Sequence, residues 1–138
     1  MWLIGFPLLI IPFAVYNIIA FLMPGLAWNV PATTVAMVSG AEWAMSPGAW
    51  LIAFAVLVLL LEIVKATRTG PRSIVDHALS LILFLAMMVE FILIAQAATA
   101  TFFLLLVIAF VDVVGGFAVT LRTAKRDLTV EGVDRLTS

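Results

Sequence analysis

A chain of 138 residues that is 65% hydrophobic and 11% charged, with a net charge of −1 and a mean hydropathy of +1.27, has too little polar surface to cover a water-soluble fold. Its solvent is lipid, and a hydrocarbon core about 30 Å thick takes roughly 20 apolar residues per helix, so the length supplies about four spans and no second domain. The lack of cysteine excludes disulfides, thiolate chemistry and iron–sulfur sites, one histidine cannot furnish a bis-histidine haem or a multi-histidine zinc centre, and the charge balance offers nucleic acid no electrostatic handle, so no cofactor, metal or nucleic-acid partner is expected.

The first apolar run predicts a helix over 2–23, retained because no basic residue precedes it and no small-residue cleavage pattern follows. Pro7 and Pro12 each remove a backbone donor, so this helix should be kinked or begin late, and Pro24-Gly25 should end it. Residues 25–46 form a long connection in which Trp28, Trp43 and Met45 sit among small residues and Glu42 is the only charge. Tryptophan prefers the headgroup level, so a short helix or folded hairpin along the outer membrane surface is expected, with Trp28, Trp43 and Trp50 as an interfacial aromatic belt. Ser39 and Glu42 have capping-box spacing for a short helix there.

Ser46-Pro47 reads as an N-cap followed by proline at the first helical position, opening a helix over 47–65. A third helix over 73–94 should be capped by Ser73, a tight turn covers 96–100, and a fourth helix covers 101–121. All seven basic residues fall in two windows, Lys65 to Arg72 and Arg122 to Arg135. Basic residues in short loops stay on the cytoplasmic side, so both windows, and with them both termini, should be cytoplasmic. The expected architecture is therefore all-α: a bundle of four transmembrane helices in 1–126, multi-pass in a bacterial inner membrane, followed by a frayed or interfacial polar tail over 127–138.

Three carboxylates and the histidine fall at membrane depth, where a charge costs about 2.5–3.5 kcal/mol on insertion scales and usually pairs, faces protein or lines a path. At about 1.5 Å per residue, Glu62, His77 and Asp112 lie in the cytoplasmic half, Asp112 deepest, while Glu90 lies near the outer end at the depth of Asn17. Two polar layers result. Asp76 and Glu90, fourteen residues apart, fall within about 40° of one another on a stripe with Ser80, Leu83 and Met87, and His77 points away from it. Asp112 shares a face with Ala109, Gly115 and Gly116, small residues that allow close helix approach, so it should face protein. Each has a plainer reading: Glu62 pairing with Lys65 or Arg68, His77 as an interfacial polar group, Glu90 partly hydrated, and Asn17 in one interhelical hydrogen bond of about 0.6 kcal/mol.

Small multidrug transporters also have four spans, but their first helix carries a glutamate that is missing here. The whole chain, and especially Ser39-Gly40-Ala41-Glu42-Trp43, Asp76-His77 and Thr101-Phe102-Phe103-Leu104-Leu105, resembles uncharacterised small four-span inner-membrane proteins of Gram-negative bacteria. That resemblance implies the fold and no activity. Without a nucleophile at a recognisable spacing from His77, or ligands for a hydrolytic metal, no enzyme is expected. The leading expectation is a structural or accessory subunit that self-associates, as a dimer, or joins other membrane subunits. The alternative is a small proton-linked transporter or channel using Asp112 and Glu62 as the inner half of a relay and Glu90 as the outer half.

Overall fold

The computed structural model describes residues 5–68 and 71–137. It is mostly helical: α1 (Ile10–Leu22), α2 (Pro47–Ala66), α3 (Pro71–Leu93) and α4 (Ala100–Thr137), with a 3-10 turn at Ala95–Ala97 and a hairpin of β1 (Thr33–Ala36) and β2 (Glu42–Met45) between α1 and α2. Helices α2, α3 and α4 are long and apolar enough to cross a membrane. At 13 residues α1 is not, since about 1.5 Å per residue gives roughly 20 Å against a core of about 30 Å.

The expectation of a first helix over 2–23 is corrected on length. The helix begins late, at Ile10, after a turn in which the Ile10 amide donates to the Pro7 carbonyl at 3.1 Å. Pro12 then falls in the first turn, where its missing N–H would have had no intrahelical partner anyway, so it is buried in the helix without breaking it.

The connection folds as a hairpin, and the helix suggested by Ser39 and Glu42 does not form. Thr33 stands opposite Met45 and Ala36 opposite Glu42 in antiparallel register. Gly40 takes φ +85°, and the chain closes on itself as the Met37 amide donates to the Ala41 carbonyl at 2.8 Å. Only glycine adopts that conformation without a Cβ penalty, so Gly40 decides for a turn. Threonine, valine and tryptophan flanking it favour strand. Both strands are largely exposed, and the hairpin meets α2 through Trp43 and Trp50, whose rings are 6.0 Å apart.

Helix α2 starts as its sequence requires, the Ala49 amide donating to the Ser46 hydroxyl at 3.1 Å with Pro47 next to the cap. Helix α3 begins two residues earlier than expected, at Pro71, so Ser73 lies inside the helix and is not its cap. The cap of α4 is Thr99, whose hydroxyl accepts from the Phe102 amide at 3.1 Å. Helix α4 runs to Thr137 without a break, so of the two expectations for the tail over 127–138, frayed or interfacial, the frayed one does not hold for the described residues. In its last turns Glu131 stands four residues before Arg135, a favourable orientation for an ion-pair spacing, while Gly132 and the β-branched residues there contribute little helix propensity.

Helix α4 is the central element, with α2 and α3 both packed along it, while α1 lies against α2, α4 and the 3-10 turn. Its buried face is Phe102, Leu105, Ile108, Ala109, Asp112 and Gly116. Tyr16 and Phe102 are fully buried and meet edge to face at 4.9 Å. The opposite faces carry exposed Leu57, Leu60, Leu81, Leu85, Val107 and Val114, a surface suited to acyl chains. The Gly5–Leu9 segment lies beside Lys65 and Asp76, so the described N-terminus shares an end of the bundle with the α2–α3 connection.

Candidate functional site

Helical rise puts Glu62, His77 and Asp112 at similar depth, and the packing of α2 and α3 on α4 turns them toward one another. With Lys65, Ala66, Ser73, Asp76 and Ser80 they line a single polar cavity of about 10 Å³, roughly the space of one water molecule. Glu62 is 6% exposed and Asp112 5%. Ser80, on the stripe that also carries buried Leu83 and Met87, stands beside Asp112.

Two networks wall the cavity. On the α2 side, Lys65 Nζ lies 3.3 Å from Glu62 Oε2 and donates to the Phe6 carbonyl at 2.7 Å, while Glu62 Oε1 accepts from the Leu8 amide. The ion pair anticipated for Glu62 thus forms, and it also holds a segment remote in sequence. On the α4 side, His77 Nε2 and Thr120 Oγ1 are 2.5 Å apart, with Ser73 Oγ 3.4 Å from each. The His77 ring fits only because position 116 is glycine: a Cβ there would stand 2.9 Å from His77 Cε1 and 3.1 Å from Nδ1. Gly5, at φ +136°, brings the N-terminal backbone over Asp76, and a Cβ on it would lie 3.8 Å from Asp76 Oδ1. That oxygen is buried and makes no hydrogen bond.

The outer layer is smaller. Asn17 Nδ2 donates to the Phe13 carbonyl at 3.2 Å and to Glu90 Oε2 at 3.4 Å, leaving Glu90 Oε1 buried without a partner. Both residues line a groove of about 370 Å³ between α1 and α3, bounded by Phe21, Ala86, Val89 and Leu93. Between the layers lie the buried apolar side chains Leu83, Met87, Leu105 and Ile108. Glu90 and Asp76 share a helix face but not a site.

Of the small residues expected at a helix contact, Ala109 and Gly116 are buried, and Gly116 makes its approach to α3 and to Ala66 of α2. Gly115 makes no such approach within the protomer: among the described residues, its own helix backbone aside, nothing lies within 4 Å of where its Cβ would be. It is rotated about 100° from Gly116 on a helix whose contact face is set by Asp112 and Gly116. The three tryptophans of the expected aromatic belt differ in their surroundings. Trp43 and Trp50 are exposed, while Trp28 is half-buried and stacks on Tyr16, ring centroids 4.5 Å apart at 13°.

Several contributors carried little signal. Tyr16 donates to the Gln96 carbonyl at 2.7 Å and lies 2.7 Å from the Thr99 hydroxyl, fastening α1 to the outer turn. Thr120 was detectable only as the residue four beyond Gly116 on the same face. Gly48 is pinned between Thr101 and the Trp28 carbonyl, which accepts from its amide at 3.0 Å. Among the described residues no group of three or more histidines or carboxylates is arranged to hold a metal ion. No protein-family model, no curated protein and no solved structure matches the chain.

Proposed function

We propose that this chain is a four-span protein of the bacterial inner membrane, of the kind its sequence resembles, with both termini cytoplasmic, acting as a non-catalytic subunit that self-associates as a dimer or joins other membrane subunits. In this arrangement α1 and the turn before it complete the fourth crossing. The observation that carries the reading is Glu90. A carboxyl at outer membrane depth is costly in hydrocarbon. Glu90 faces a laterally open groove with one oxygen bonded to Asn17 and the other buried and unpartnered. A neighbouring helix that brings a donor into the groove satisfies that oxygen, and polar contacts of this type join helices in membranes. In the inner layer the side chains bond to one another and to the N-terminal segment, and its one unpartnered buried oxygen among the described residues, Asp76 Oδ1, lines the small cavity inside the bundle and not a lateral groove.

The test is the assembly state of the protein purified in mild detergent. Wild type should run as a dimer or co-purify with membrane partners, and Glu90→Leu should weaken that association while the fold persists. A monomer at every detergent ratio, unaltered by the substitution, refutes the reading.

A second reading, a proton-linked transporter, is favoured by one observation, the convergence of Glu62, Asp76 and Asp112 on a cavity at one end of the bundle. The apolar layer of Leu83, Met87, Leu105 and Ile108 stands against it, since it separates that cavity from Glu90. Proteoliposomes carrying the protein should therefore show no pH-gradient-driven flux. Flux lost on Asp112→Asn would reverse the preference.

A further inference from the structure

The inner cavity holds an imbalance of charge. Glu62, Asp76 and Asp112 face it from three helices; Lys65 is the one ammonium among the lining residues, and His77 the one imidazole. With all three carboxyls ionised and His77 neutral, the described residues lining the cavity would carry three negative charges against one positive, a net of −2. Lys65 is already committed to Glu62 and the Phe6 carbonyl. His77 is held by Thr120 and Ser73, with its other nitrogen packed against Gly116. Asp76 lines the cavity, and its buried Oδ1 has no hydrogen-bond partner among the described residues, so the site contains an acceptor for a proton that no described side chain supplies. Uncompensated buried charge of this size is costly in low dielectric, and a proton is the neutralising species that a cavity with room for about one water molecule admits most readily.

We propose that the inner cavity is a proton-binding site, in which an excess proton is shared between Asp112 and Asp76 through the single water the cavity admits, and that the Gly5–Leu9 segment is the lid separating it from the aqueous phase. The proton arrives as hydronium, forms an O–H bond on one carboxylate and leaves a water molecule behind. The groups facing the pair are Glu62 and Lys65 from α2, His77 and Ser80 from α3, and the backbone of Gly5 to Leu8 from the lid. The lid is fastened by the Lys65–Glu62 pair, whose two charged groups each bond to its backbone. This pair is therefore the latch. Binding of the proton requires neither self-association nor transport.

Two measurements test the two halves. Infrared spectroscopy of the unmodified protein near neutral pH should show the C=O stretch of a protonated carboxyl that is lost in Asp112→Asn and shifted in Asp76→Asn. If the band is absent, or present and unmoved by both substitutions, as it would be if it came from Glu90, the proton site is refuted. For the lid, Ser80→Cys supplies the chain's only thiol, placed in the cavity wall. It should react slowly with a water-soluble maleimide, and Lys65→Met in the same background should accelerate labelling about tenfold or more, since the charge-assisted hydrogen bond from Lys65 to the lid is lost. An unchanged rate, with a folded protein by gel filtration, refutes the lid. The infrared arm on wild type needs no variant to fold.

Discussion

The adjacent glycines of α4 should respond to the same substitution with opposite sign. At Gly116 a methyl group would stand 2.9 Å from His77 Cε1, 3.1 Å from Nδ1 and 3.8 Å from Ala66 Cβ. The imidazole must move, because the backbone of α4 is fixed by its contacts with α2 on the same turn. Moving it stretches the 2.5 Å contact with Thr120. Overpacking of this kind costs about 1–3 kcal/mol and the weakened hydrogen bond about 1 kcal/mol. Replacing glycine by alanine in a helix returns up to about 1 kcal/mol. Gly116→Ala should therefore destabilise by about 1–3 kcal/mol, and at the middle of that range shift the unfolding equilibrium roughly thirtyfold. Gly116→Leu, with three more carbons at the same spot, should not form the native bundle. At Gly115 nothing lies within 4 Å of the new methyl, so Gly115→Ala keeps only the helix gain and should be neutral or stabilising by up to about 1 kcal/mol. Reversible unfolding in mixed detergent micelles with increasing dodecyl sulfate reads both. Equal destabilisation at the two positions, or stabilisation at 116, would show that His77 does not pack against Gly116.

Gly48→Ala should destabilise by about 1–3 kcal/mol in the same assay, since its methyl would collide with the Thr101 hydroxyl and stand 2.8 Å from the Trp28 carbonyl; full retention of stability would refute that approach. Asp112→Asn should leave unfolding nearly unchanged, the amide keeping the shape and hydrogen-bonding capacity of a protonated carboxyl, whereas Asp112→Leu should loosen the bundle by leaving Ser80 without its neighbour; equal effects would count against a hydrogen-bonding role. Cysteines at Thr33 and Thr129, both exposed, should label oppositely in intact cells with an impermeant thiol reagent, position 33 reacting and position 129 protected, and the reverse pattern would invert the topology.

What the sequence determined by itself is local or one-dimensional. Composition selects lipid as the solvent, because 65% hydrophobic residues cannot be covered by 11% charged ones in water. Ser46-Pro47 starts α2 because the cap and the proline act within one turn. Depth is also legible, since rise per residue is constant, which is why Asn17 and Glu90 could be put at one level and the structure bonds them. Elements went astray where two local signals competed. The Ser39–Glu42 spacing suggested a helix, and Gly40 with its β-favouring neighbours produced a turn. Residues 127–138 offer nothing to build a core with, which suggested a frayed or interfacial tail, and α4 runs on through them to Thr137.

Tertiary structure alone decided which residues at a given depth meet. Glu62, Asp76, His77 and Asp112 share a cavity because α2 and α3 both pack on the face of α4 that carries Asp112 and Gly116, and the rotation of one helix about another is set by side-chain interdigitation across the contact, not by either helix's own period. The same reason separates Gly115 from Gly116, one residue and about 100° apart. It also explains the lid: the bonds from Lys65 and Glu62 to Phe6 and Leu8 join residues more than fifty positions apart, and no pattern in either segment announces the other, because backbone carbonyls and amides carry no sequence signature.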